Sequence, residues 1–134
     1  MVNDDQALSL FTIMSDETLQ RLLKRFAAAA EAHATALETM DAASAERHVV
    51  MLDKLFAAIV HSSPAGREAL LQLAEDYDGA AAGMAAVYSL RYRSERALAV
   101  LRRLAAKPGL LGFRASVAVE RWEQGEWEAE EGKV

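Results

Sequence analysis

Between Arg67 and Trp122 the chain carries one pattern twice. The first copy reads REALLQLAEDY, a turn at Asp78-Gly79 and AAAGMAAVYSLRY; the second reads ERALAVLRRLAA, a turn at Lys107-Pro108-Gly109 and LGFRASVAVERW. Ala69 aligns with Ala97, Leu70 with Leu98 and Leu73 with Leu101. In the second halves Ala86 aligns with Ala118, Val87 with Val119 and Leu90 with Trp122. A helix pair recurring at roughly 30 residues buries its apolar stripe only against neighbouring pairs, which is the pattern of a helical solenoid. The repetition constrains architecture and identifies no reaction.

Alanine supplies 28 of the 134 residues. It is the best helix former and lets helix axes approach closely, and with only two prolines and few β-branched runs, strands have little support. The expected fold is all-α, with about six helices in a short α-solenoid of antiparallel pairs. Ser15 or Asp16 is placed as the cap of a first long helix with Leu19, Leu22, Leu23, Phe26, Ala30, Leu37 and Met40 on its stripe. Asp41 breaks the chain and caps a second helix bearing Val49, Leu52, Phe56, Ile59 and Val60, ending near Ser62. Ser63-Pro64 opens a third helix, to about Tyr77. The fourth runs from Asp78-Gly79 to about Tyr92. Ser94 caps a fifth that stops before Pro108, and the sixth spans about Leu111 to Gln124 and ends at Gly125.

Residues 1–14 read either as a short added helix, with Leu8 and Phe11 turned inward, or as an extension upstream of the domain. Residues 15–125 form the helical domain and 126–134 an acidic tail. The chain has length for one domain with its own core, and no cysteine, which excludes disulfides, thiol nucleophiles and thiolate metal sites. Asp4 and Asp5 stand where a signal peptide carries basic residues, and charges interrupt every apolar run, so a cytoplasmic protein that does not span a membrane is expected.

The stretch RALAVLRRLAAKPGLLGFRASVAVERWEQGE, with its leucine-alanine helix, PGLLGF loop and closing helix ending in tryptophan before a glycine, resembles a small bacterial family of HEAT-like domains of unknown function. The resemblance runs from about Ser15 to Glu126 and is most specific from Pro108 to Gly125. It implies a compact, all-helical HEAT-like protein of bacterial type and supplies no catalytic motif.

The residues themselves offer little chemistry. His48 and His61 lie thirteen positions apart, on different faces at ~100° per residue, without a carboxylate at helical metal-site spacing. His33 falls on the apolar stripe between Phe26 and Leu37, and the expectation is a buried, structural ring bonded to a carbonyl or hydroxyl. No phosphate-binding glycine loop is present, and Ser62-Ser63 after His61 does not make a nucleophile-base pair. No catalytic, metal or cofactor-binding residue is assigned, and the chain is read as a non-enzyme.

Charge is more informative. The chain has a net charge of −5, yet from Arg91 to Arg114 seven cations face Glu95 alone, before glutamates dominate the tail. Either neighbouring helices and the tail supply counter-charge, or the basic face binds an anionic partner. Arg91, Arg93, Arg96 and Arg103 are the candidate partner-binding residues, joined by Trp127, which no helix stripe requires. The reading that follows is a protein-protein interaction module or adaptor, with a second copy of the chain as one candidate partner. A toxin-neutralising immunity-type protein is the alternative. Nucleic acid ranks lower because the net charge opposes it at long range.

Overall fold

The computed structural model describes residues 4–125, with the backbone alone for 4–15. Six helices account for most of that chain: α1 (Asp4–Glu38), α2 (Ala42–Ser62), α3 (Gly66–Asp76), α4 (Ala80–Ser89), α5 (Ser94–Ala105) and α6 (Gly109–Glu123). No strand occurs among the described residues. The fold is all-α, as composition and periodicity predict.

Most turns follow their sequence signals. Asp41 caps α2, its Oδ1 accepting a hydrogen bond from the Ser44 N–H at 3.1 Å. Ser63 Oγ accepts from the Ala65 N–H at 3.1 Å, so Pro64 and Ala65 form a turn and α3 begins two residues later than Pro64 suggests. Gly125, at φ +73°, follows α6 as the left-handed residue that accompanies many helix C-termini.

Four boundaries differ from expectation. Helix α1 passes through Ser15 and Asp16 without a break, because neither proline nor glycine interrupts the stretch from Asp4 and a mid-helix Ser or Asp costs only tenths of a kcal/mol. The inward placement of Leu8 and Phe11 lies outside the described side chains. Ser94 is the first residue of α5 rather than its cap, since Ala97 N–H already bonds the Arg93 carbonyl at 3.1 Å. Helix α4 stops at Ser89, where the Arg93 and Tyr92 N–H groups both bond the Ser89 carbonyl and close a tight turn. Helix α6 starts at Gly109, two residues early.

Helix α1 lies along α2, α3 along α4 and α5 along α6, while α4 also meets α1, α5 and α6. Helix α4 reads AAAGMAAVYS and buries Ala81, Ala82, Ala85, Ala86, Tyr88 and Ser89; small side chains on several sides let four neighbours close on it. Phe26, Leu52, Ile59, Leu70, Leu71, Leu90, Leu101 and Leu104 fill the centre. Burial recurs at a spacing of thirty residues: Leu70, Leu71 and Ala74 correspond to Val100, Leu101 and Leu104, and Ala82, Ala85 and Tyr88 to Gly112, Ala115 and Ala118. The aligned letters gave spacings of 28 and 32, and on that alignment Leu73 and Leu98 were core residues; both are half-buried. Leucine and alanine recur so densely in these helices that letter matching tolerates a shift that packing does not.

Two further stripe residues are exposed. Leu37 and Val49 occupy inward-facing registers, yet both are solvent-exposed. Met40 leaves the helix: at φ +59° it occupies the left-handed position of a Schellman turn, with Asp41 N–H bonded to the Ala36 carbonyl and Met40 N–H to the Leu37 carbonyl.

Candidate functional site

The basic face is resolved by helix geometry. Arg96 and Arg103, seven apart, do share a face of α5, and that face lies against α3. Arg96 donates to both Glu75 oxygens, at 3.0 and 2.6 Å, and to Glu68 at 3.0 Å. These hydrogen bonds hold both carboxyls below their usual range and push the guanidinium value up; for Glu68 a second bond, from Gln72, adds to the effect. Arg103 reaches the end of α3, donating to the carbonyls of Ala74 and Tyr77 at 3.2 and 3.0 Å and pairing with Asp78. A cation on the orphan carbonyls of a helix C-terminus satisfies them and complements the helix dipole. Arg102 pairs with Glu123 of α6 at 3.0 Å.

Arg91 belongs to a different group. Its guanidinium stands 4.7 Å from the Tyr88 ring centroid and 5.2 Å from that of Phe56. Phe26 meets Tyr88 edge-on at 5.5 Å, and Phe56 meets Tyr88 at 4.9 Å. Tyr88 is buried and donates to Asp53, and burial with that carboxylate beside it raises the phenol's value. Tyr92 donates to the Arg67 carbonyl at 2.9 Å, with the Arg67 guanidinium 5.6 Å from its ring centroid. The four candidate partner-binding residues that are described, Arg91, Arg93, Arg96 and Arg103, thus have different surroundings. Arg96 and Arg103 fasten α5 to α3, Arg91 covers an aromatic cluster, Arg93 is exposed at the α4–α5 turn, and Trp127 lies outside the described residues.

His33 is buried, as its register predicts, at 8% exposure. Its neighbour differs from expectation: in place of a carbonyl or hydroxyl, the Arg114 guanidinium of α6 stands 3.4 Å from Nδ1. Burial, then the charges of Arg114 and His48, lower the ring's value, so His33 is neutral and accepts from Arg114. Arg114 is itself pushed down by burial, with Glu38 opposing. Beside it a cavity of about 90 Å³ opens among α1, α4, α5 and α6, walled by Ala30, Gly83, Leu101, Leu111, Ala115 and Ala118. No sequence pattern signals this arrangement, since Arg114 reads as one more cation of the basic run.

Among the described residues large apolar side chains are exposed at three places, one of them Tyr77 at the end of α3. Leu37, Met40, Val49, Val50 and Met51 belong to the free end of the α1–α2 hairpin, and Leu110 and Phe113 to the first turns of α6. Val49, Val50 and Met51 point ~100° apart, so the first half of α2 is apolar on flanks that α1 does not cover. Among the described residues no three His, Asp or Glu side chains converge as metal ligands, and no helix is long and apolar enough to cross a membrane. No family model, curated protein or solved structure matches the chain.

Proposed function

We propose that the chain is a protein-binding module or adaptor, built as a short HEAT-like solenoid, whose contact surface is the free end of the α1–α2 hairpin rather than the arginines of α5. The contacts of α3 with α5 and of α4 with α6, together with the thirty-residue recurrence of burial, support the solenoid reading. The surface reading rests on Met40. It is 91% exposed and holds a left-handed backbone that favours glycine, so this position carries an exposed, flexible apolar side chain at a conformational cost. Leu37, Val49 and Val50 extend the same apolar end. Pairing of Arg96 and Arg103 with α3 and the turn after it reduces the charge asymmetry that favours the toxin-neutralising alternative or nucleic acid.

Photo-crosslinking in the native cell tests the placement. A crosslinker at position 40 or 50 should yield adducts of defined mass, a second copy of the chain included, and one at Arg93 should not. Met40→Gly should raise stability by about 1 kcal/mol by relieving the left-handed strain, and should weaken adduct formation from position 50. Adducts confined to Arg93 would move the contact back to the basic residues.

A further inference from the structure

Arg114 and Gly83 line the same cavity, and each is a costly residue at its position. The cavity is apolar along α1, α4, α5 and α6, with Arg114 as its one charged lining residue. Among the described residues no carboxylate lies within ion-pair distance of that guanidinium: Glu38 acts on it only through its field, and the one hydrogen-bond contact is His33 Nδ1 at 3.4 Å. A guanidinium has five N–H donors in a planar fork suited to a carboxylate, so most of its bonding capacity is open. The other anion-favouring feature nearby, the N-terminus of α4, already has a carboxylate, because Glu31 Oε1 accepts from the Ala81 N–H at 3.4 Å.

Gly83 sits inside α4, where glycine weakens a helix relative to alanine. A Cβ there would meet only the Leu104 and Leu111 methyls, at 3.6 and 3.8 Å, which is ordinary contact. Alanine would therefore fit. What glycine leaves is room in the cavity wall.

We propose that this cavity binds a short monocarboxylate, its alkyl end among Ala30, Gly83, Ala115 and Ala118 and its carboxylate on Arg114. The volume of about 90 Å³ sets the size. At ~30 Å³ for a water-sized group it takes about three such groups, which matches the three-carbon alkyl chain of butyrate. This site is independent of the hairpin surface and stands or falls apart from it.

The test is a calorimetric and NMR titration of the full chain with butyrate, acetate, octanoate and butan-1-ol at constant ionic strength. Butyrate should bind at least tenfold more tightly than acetate or butan-1-ol, shift amides of α4 and α6, and raise the melting temperature. Octanoate, too long for the cavity, should bind more weakly than butyrate. Arg114→Gln should lower butyrate affinity at least tenfold. Gly83→Ala should lower it at least fivefold while the free protein melts at the same or a higher temperature, which separates a filled cavity from a damaged fold. Equal binding of butyrate and acetate, equal binding of butan-1-ol, or unchanged affinity in both variants would overturn the proposal.

Discussion

The seam between α3 and α5 and the free end of the α1–α2 hairpin are opposites. Along the seam, Arg96 has two carboxylates and Arg103 has a carboxylate and two carbonyls, so a strongly charged surface is satisfied within the chain. At the hairpin end, Leu37, Met40, Val49 and Val50 keep much of their apolar surface exposed. Three of the seven cations of the basic run, Arg96, Arg102 and Arg103, are thus paired within the chain, while the large side chains exposed at the hairpin end are apolar. A run of like charges identifies an exterior only when the opposing face is known.

The contrast can be broken most severely inside the close-packed half. A Cβ at Gly112 would collide with the Lys107 carbonyl oxygen, which is backbone and cannot rotate aside. Gly112→Ala should cost about 3 kcal/mol in chemical denaturation, whereas an alanine at exposed Met51 should change stability by less than about 0.5 kcal/mol.

A smaller effect tests the seam. Arg96→Glu places a third carboxylate against Glu68 and Glu75 and should lower the melting temperature measurably more than Arg93→Glu. Because both glutamates titrate below their ordinary 4.5, the stability contributed by the seam is fully present above that pH and is lost as pH falls through their folded-state values. Equal melting temperatures for the two variants would mean that the ion pairs contribute nothing beyond solvated charge.

The smallest predicted effect is at His33. Its folded-state value lies below the ordinary 6.5, so the folded chain holds fewer protons than the unfolded chain and stability rises with pH in that window. Acidification from about pH 7.5 to 5.5 should therefore destabilise the wild type, as a second cation forms beside Arg114. His33→Gln retains an acceptor for Arg114 and should flatten that slope, read as the difference between the two stability-pH curves. Parallel curves would show that His33 is not the titrating group.

How far each part was legible depends on the range of the interaction that made it. The cap at Asp41, the turn at Ser63, the stop at Gly125 and the burial of His33 act over a few residues or one helix stripe, and they can be read directly from spacing. The exposure of Leu37 and Val49 could not, because their registers are inward and only the arrangement of neighbouring helices decides how far such a position is covered. For the arginines the sequence placed the face correctly and not its occupant. The cavity beside Arg114 had no local signal, being an absence of atoms shared by four helices.

The sequence by itself determined an all-helical chain, its number of helices and most of their turns, because helix propensity, capping and apolar periodicity are local physical preferences that sum along the backbone. Tertiary structure alone decided that Glu68 and Glu75, at sequence separations of 28 and 21, would meet Arg96, and that Arg114, 81 residues from His33, would stand beside it. Those contacts depend on the angle and register at which helices cross. Interchangeable leucines and alanines leave several such arrangements open until the whole core closes and only one of them packs without voids or collisions.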